Sequence, residues 1–149
     1  MTIGALCTRN VATAPRDMTA VAAAQLMRKR HVGDVIVTDT IKGKTVPAGV
    51  ITDRDIVISV VAPHLDPAVF TVGDMLLRPA ITCRETDDVA SCLESMRANA
   101  IRRMPVVDKK GSLVGVISAD DLVRFLAGEF ASVAKLIARE QAVERKTRK

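Results

Sequence analysis

Two spacings of apolar residues alternate along the chain, one typical of helices and one typical of strands. Val89, Cys92 and Met96 recur three and four positions apart, which places them on one face of a helix. After them, two short runs rich in β-branched residues, 104–108 and 112–118, flank the turn sequence KKG. The pattern therefore predicts a helix followed by a β-hairpin.

The first half of the chain carries the same order of elements. It predicts a helix over 19–30, strands over 34–38 and 46–51, and a second helix from residue 53. A short strand is expected before the first helix of each half, at 11–13 and at 80–82. Each half is therefore predicted to be a β-α-β-β-α unit.

The two halves are copies of one sequence. At an offset of 69, TIGALCTRNVATAPRDM aligns with TVGDMLLRPAITCRETD without a gap, and the offset becomes 66 from Gly49 and Gly115 onwards. The change of offset falls between two predicted strands, where a hairpin loop tolerates insertions. We therefore expect a mixed α/β (α+β) fold made of two repeated units.

The repeat also predicts the domain organisation. A unit of roughly 60 residues is marginally stable alone, so the two copies are expected to pack face to face with pseudo-twofold symmetry. Two prolines in APHLDP mark a linker between them. The expected parts are a first domain over 1–62, a linker over 63–70, a second domain over 71–127, and a helical extension with a basic tail over 128–149.

Composition and charge limit the classes of function. The formal charge is +5, and residues 139–149 hold five basic and two acidic groups. Three Phe with no Trp or Tyr argue against a single-strand nucleic-acid binder, which stacks bases on aromatic rings. No apolar run is long enough to span a bilayer, and three cysteines without C-x-x-C spacing predict neither disulfides nor a zinc site. We expect a cytoplasmic protein without membrane contact.

Each repeat contains the same polar motif, here called the polar corner, at GVITDRD and at GVISADD. Thr52 precedes Asp55 by three positions, and Ser118 precedes Asp121 by three. One interpretation is a pair of helix-capping boxes. The other is a ligand site at a strand-to-helix turn, where a carboxylate accepts hydrogen bonds from ribose hydroxyls and the helix start meets phosphate. The spacing alone leaves both open.

These corners, together with TVGDMLLRPAITC and RRMPVVD, resemble a pair of cystathionine-β-synthase-type (CBS) domains, also called a Bateman module. The likeness covers residues 2 to about 127. It implies a stand-alone regulatory module that binds an adenine nucleotide (AMP, ADP or ATP) or a related adenosyl compound between the repeats. It also implies a homodimer, no catalysis and no required cofactor.

The resemblance implies two clefts, each combining the corner of one repeat with segments of the other. Cleft A is Thr52, Asp55, Ala80, Ile81, Ile101, Arg102 and Arg103. Cleft B is Ser118, Asp121, Val11, Ala12, Val32, Gly33 and Asp34. Cleft A is expected to bind the nucleotide, because Arg103 suits a phosphate where Asp34 repels one. Cleft B is expected to be empty, to bind more weakly or to take an uncharged adenosyl group. Arg54 is a candidate for a further phosphate contact.

Other functions receive less support. The two histidines have no ligand-spaced partners, so no metal site is predicted, and no nucleophile or acid-base constellation indicates an enzyme. A ligand-free dimerisation or adaptor protein is the alternative, with both corners acting only as caps. Nucleic-acid binding through the basic tail is a third, less favoured possibility. The final helix carries a seam from Leu122 through Ile137 that we expect to pair with a second subunit.

Overall fold

The computed structural model describes residues 1–148, which form two β-α-β-β-α units and a short N-terminal helix, α1 (Ile3–Leu6). Each unit has its own three-stranded sheet. The mixed α+β fold with a tandem repeat is therefore confirmed. Helix α1 is an element that the apolar pattern does not predict, because four residues are too few to show a helical period.

The first unit follows the predicted order. In its sheet, the central strand pairs parallel with the first strand and antiparallel with the third. Thr19 caps the first helix by accepting a hydrogen bond from Ala22 N. The elements are β1 (Thr13–Pro15), α2 (Ala20–Arg30), β2 (Asp34–Ile41), β3 (Lys44–Thr52) and α3 (Asp53–Ile56), which continues into a π-helical turn over Val57–Val61.

The second unit repeats this topology. Its elements are β4 (Cys83–Arg84), α4 (Val89–Asn99), β5 (Arg103–Val107), β6 (Leu113–Ser118) and α5 (Ala119–Thr147). Of the two aspartates that precede α4, Asp88 is the cap, because its carboxylate accepts from Ser91 N at 2.8 Å. Helix α5 runs unbroken for 29 residues, so the expected C-terminal extension continues the helix of the second unit.

The first strand of each unit lies two or three residues later than the sequence pattern predicts. The expected strands were 11–13 and 80–82, and the observed ones are Thr13–Pro15 and Cys83–Arg84. The second difference has a clear cause, since Ala80 N donates to Ala48 O in β3 at 3.0 Å. This hydrogen bond attaches the segment before β4 to the other unit, and that attachment helps to build the cleft described below.

The leading segment of each unit packs on the core of the other. Gly4 N donates to Glu85 O at 2.8 Å, and in the equivalent place Gly73 N donates to Arg16 O at 2.9 Å. Ile3 is fully buried in the core of the second unit, while Val72 is fully buried in the core of the first. This exchange ties the two units together about a pseudo-twofold axis and forms walls between them.

The segment that joins the units is attached to α2. Ala20 N donates to Phe70 O at 2.7 Å, and Val21 N donates to Pro67 O at 2.9 Å, so two of the first backbone N–H groups of the helix find acceptors. Across residues 1–148, no helix combines the length and the apolar character needed to cross a membrane.

Candidate functional site

Both polar corners are capping boxes. Asp55 Oδ2 accepts hydrogen bonds from Thr52 N and Thr52 Oγ1, each at 2.8 Å, while Thr52 Oγ1 accepts from Asp55 N at 3.2 Å. The second corner repeats the arrangement, with Asp121 Oδ2 accepting from Ser118 N at 2.9 Å and from Ser118 Oγ at 2.6 Å. The capping interpretation is therefore correct for both repeats, and each box uses one carboxylate oxygen.

The two carboxylates differ in their second oxygen. Asp121 Oδ1 lies 3.2 Å from Arg124 Nη1, one turn further along α5, and forms an ion pair with it. Within residues 1–148, Asp55 Oδ1 accepts no hydrogen bond and pairs with no cation. An ionised carboxylate oxygen accepts hydrogen bonds readily, so Asp55 retains an acceptor that Asp121 has already engaged.

Asp55 lines a cavity of about 520 Å³ between the two units. All seven residues predicted for cleft A line the same cavity: Thr52, Asp55, Ala80, Ile81, Ile101, Arg102 and Arg103. Arg54, the further candidate for a phosphate contact, lines it as well. The volume lies in the range of small-molecule and cofactor sites. The structure thus brings the predicted set together, with one unit supplying the corner and the other supplying the opposite wall.

One wall of the cavity was not predicted. It consists of Met75, Leu76, Leu77, Arg78 and Pro79, which precede β4. These residues are part of the motif TVGDMLLRPAITC, so the repeat marks the segment, but nothing in the sequence shows that it crosses to the first unit. Leu77 is 93% exposed and is therefore an apolar side chain open to solvent beside the cavity. The remaining unpredicted lining residues are Val50, Ile51, Asp53 and Ser59.

The lining of the cavity is rich in arginine. Four guanidinium groups, those of Arg54, Arg78, Arg102 and Arg103, accompany two carboxylates, those of Asp53 and Asp55. The excess of positive charge favours an anionic ligand, and arginine binds phosphate oxygens with two parallel hydrogen bonds.

The residues predicted for cleft B do not line this cavity. Ala12 is buried, and its carbonyl oxygen accepts from Ile36 N at 2.8 Å. Gly33 O accepts from Asp53 N at 3.0 Å, which attaches Gly33 to the corner of its own unit. The others, Val11, Val32, Asp34, Ser118 and Asp121, are exposed or half-buried.

Asp34 and Arg103, assigned by the sequence to different clefts, contact each other. Arg103 Nε lies 3.0 Å from Asp34 Oδ1, and the Asp34 side chain is only 15% exposed. Burial raises the pKa of Asp34, Arg103 lowers it, and the nearby Asp53 carboxylate raises it further. The charge difference between the clefts is therefore smaller than the sequence implies, since Arg103 carries its own counter-ion.

The three cysteines are free thiols in or beside the core of the second unit. The hydrogen bond with Cys92 and burial both raise the pKa of Cys83, so its reactive thiolate form is suppressed at neutral pH. Among residues 1–148, no three His, Cys, Asp or Glu side chains are grouped as metal ligands.

Comparison with known proteins identifies the repeated unit. The CBS domain family matches residues 3–62 and 72–128. An uncharacterized protein of Methanopyrus kandleri is 33% identical over 124 residues, which cover 83% of this chain and 62% of that protein. The aligned region thus spans less than two thirds of that relative.

Solved structures share the fold. A CBS domain protein from Pyrobaculum aerophilum, in complex with AMP, is 32% identical, with a TM-score of 0.75 over 89% of this chain and 99% of that one. Hypoxic response protein 1, with two coordinated zinc ions, known from Mycobacterium tuberculosis, is 28% identical, with a TM-score of 0.72 over 83% and 98%. The two matched segments, the repeated fold and the cleft between the units lead to one conclusion: this chain belongs to the CBS domain family and carries two copies of the domain.

Proposed function

We propose that this protein is a non-catalytic regulatory module that binds an adenine nucleotide, or a related adenosyl compound, in cleft A. The observation that carries the proposal is the unengaged Oδ1 of Asp55 on the wall of an arginine-rich cavity of about 520 Å³. The similar protein from Pyrobaculum aerophilum, solved with AMP, supports the ligand class. Free thiols in or beside the core favour a reducing compartment, and we propose the cytoplasm.

The lining supplies each part of such a ligand with a matching group. Asp55 is positioned to accept hydrogen bonds from a ribose diol, since its Oδ2 already holds the corner rigid through Thr52. The aliphatic side chains of Ile81 and Ile101 offer apolar walls for a purine. Arg54 and Arg103 are the proposed phosphate contacts.

Cleft B is proposed to bind more weakly or not at all. The free oxygen that Asp55 offers in cleft A has no counterpart, because Arg124 engages Asp121 Oδ1. Arg124 is itself highly exposed, so a ligand competing for this oxygen must displace only a surface ion pair, which is weak. The difference between clefts is therefore expected to be one of affinity.

Titration calorimetry with AMP, ADP and ATP tests the proposal. Asp55→Asn and Asp121→Asn are matched variants, because an asparagine oxygen still accepts the capping hydrogen bonds in both. We expect Asp55→Asn to lower affinity at least tenfold and Asp121→Asn to leave the tighter site unchanged. Loss of binding in Asp121→Asn alone would place the ligand in cleft B and contradict the proposal.

A ligand-free dimerisation or adaptor protein is the second candidate. It is favoured by the capping boxes, which explain both repeated corners without any ligand. A thermal-shift panel separates the two, since a ligand at about 100 times its dissociation constant stabilises a protein by roughly 2.7 kcal/mol. No shift with AMP, ADP, ATP, NAD or S-adenosylmethionine would favour the adaptor. In either case we propose a homodimer, because the apolar seam of α5 is exposed.

A further inference from the structure

Helix α5 leaves the body of the protein and projects into solvent. Every residue from Ala127 to Arg148 is exposed, so no described part of this chain covers the last 20 or so residues of the helix. At 1.5 Å per residue this length amounts to about 30 Å. Most helical stability in proteins comes from packing of an apolar face against another element.

The projecting helix has such a face. Leu122, which the sequence assigned to this seam, is instead buried in the core of the second unit. The exposed residues Val123, Leu126, Phe130, Val133 and Ile137 follow spacings of three and four, the pattern of the contact positions in a coiled coil. Phe130 is 74% exposed and Ile137 is 50% exposed. Leu136 and Val143 widen the face on one side. Exposed apolar surface of this extent on one helix marks an interaction site, and the spacing of three and four is that of helix-helix contacts.

The charges along α5 favour a second copy of this chain that runs in the opposite direction. Residues 119–133 hold three acidic side chains and one arginine, whereas residues 134–148 hold five basic and two acidic side chains. The first turn is acidic, with Asp120 and Asp121, and the last turn is basic, with Arg145 and Lys146. A second copy running in the opposite direction places each end beside its opposite charge, whereas a parallel copy places like charges together.

We propose that α5 pairs with α5 of a second copy of this chain in an antiparallel arrangement. In the favoured register Phe130 packs against Val133, and Leu126 packs against Ile137, so that twofold symmetry produces four apolar layers. Ala127 and Ala134 flank the seam and permit close approach of the helices. The basic end of each helix then lies along the acidic start of the other. The arrangement rests on the homodimer proposed above but not on nucleotide binding.

Pulsed electron-spin distance measurements at two positions test the direction of pairing. Spin labels are attached to Ala131→Cys or to Ala142→Cys, both exposed and outside the seam, with Cys7→Ser as background because Cys83 and Cys92 are buried. In the antiparallel register the two labels at 131 lie at nearly the same height, and those at 142 lie about 30 Å apart along the axis. A parallel pair gives the same short distance at both positions.

Seam substitutions and light scattering complete the test. Phe130→Asp with Val133→Asp is expected to abolish the distance pattern, while Ser132→Asp with Ala138→Asp, equal in added charge but outside the seam, is expected to preserve it. A monomeric mass at micromolar concentration would overturn both the homodimer and this arrangement. A dimeric mass with equal distances at 131 and 142, or with no measurable distance at either, would overturn the antiparallel arrangement alone.

Discussion

Asp34 and Arg103 occupy the same position in the two repeats, 69 residues apart, and form an ion pair across the boundary between them. Arg103 Nε lies 3.0 Å from Asp34 Oδ1. Equivalent residues of the two repeats meet at the pseudo-twofold axis, so identical charges at this position would repel each other. The opposite charges of Asp34 and Arg103 attract instead, and they place a phosphate-binding candidate of cleft A in direct contact with a carboxylate.

Removing the Asp34 charge is expected to tighten nucleotide binding in cleft A. The carboxylate competes with phosphate for Arg103 and adds a negative charge nearby. Asp34→Asn should therefore raise the affinity for ATP by up to about tenfold, equivalent to about 1.4 kcal/mol. Calorimetry measures the change. The gain should be smaller in an Arg103→Gln background, where only the removal of the negative charge contributes, and an undiminished gain there would show that Arg103 is not the group released.

The raised pKa of Asp34 is expected to show in the pH dependence of the free energy of unfolding. Its folded pKa is raised mainly by burial, so between the ordinary aspartate pKa and the raised value the native state holds a proton that the unfolded state has lost. The free energy of unfolding contributed by this group therefore falls as pH rises through the raised pKa. Urea titrations from pH 4 to pH 7 should show wild type losing stability relative to Asp34→Asn, and a constant difference would contradict the assignment.

One methyl group added to a segment that packs on the other unit is expected to destabilise the fold. A Cβ at Gly73 would lie 2.8 Å from Arg16 O, a backbone atom of the other unit that has little freedom to move. Gly73→Ala is expected to lower the free energy of unfolding by about 1–3 kcal/mol, as overpacking does. Denaturant unfolding measures it.

Gly128→Ala is the matched control, since open space surrounds Gly128 within α5. It should stabilise the helix by up to about 1 kcal/mol. Equal effects of the two substitutions would argue against the backbone contact at Gly73.

The contribution of Arg54 to affinity is expected to depend on the number of phosphates on the ligand. An Arg54→Ala variant is expected to lose several-fold more affinity for ATP than for AMP, because a longer anionic chain reaches more of the arginines on the lining. Arg97→Ala serves as the control, since Arg97 is 80% exposed and lies on α4 outside the cavity. Calorimetry at two salt concentrations checks the result, and an equal loss for AMP and ATP would remove Arg54 from phosphate recognition.

The sequence by itself determined the order of elements in each unit, the duplication and the position of the two polar corners, for which a capping box was one of two interpretations. These features are local: helix and strand periods are set by side-chain spacing, and a capping box joins residues three apart, such as Thr52 and Asp55. The grouping of the seven cleft A residues around one cavity was also predictable, because the family resemblance carries information about contacts between repeats that spacing does not contain. Their role in ligand binding stays a prediction.

Only the tertiary structure decided how the repeats meet. The exchange of Ile3 and Val72 between cores, the wall around Leu77 and the ion pair of Asp34 with Arg103 all join positions about 70 or more residues apart, or bring a segment to the opposite unit. Such contacts depend on packing of whole surfaces. The ion pair that engages Asp121 is local, since Arg124 lies three residues further along the chain, whereas its counterpart in the first repeat is Ile58. Only the packing of the two units places Asp55 on the wall of the cavity.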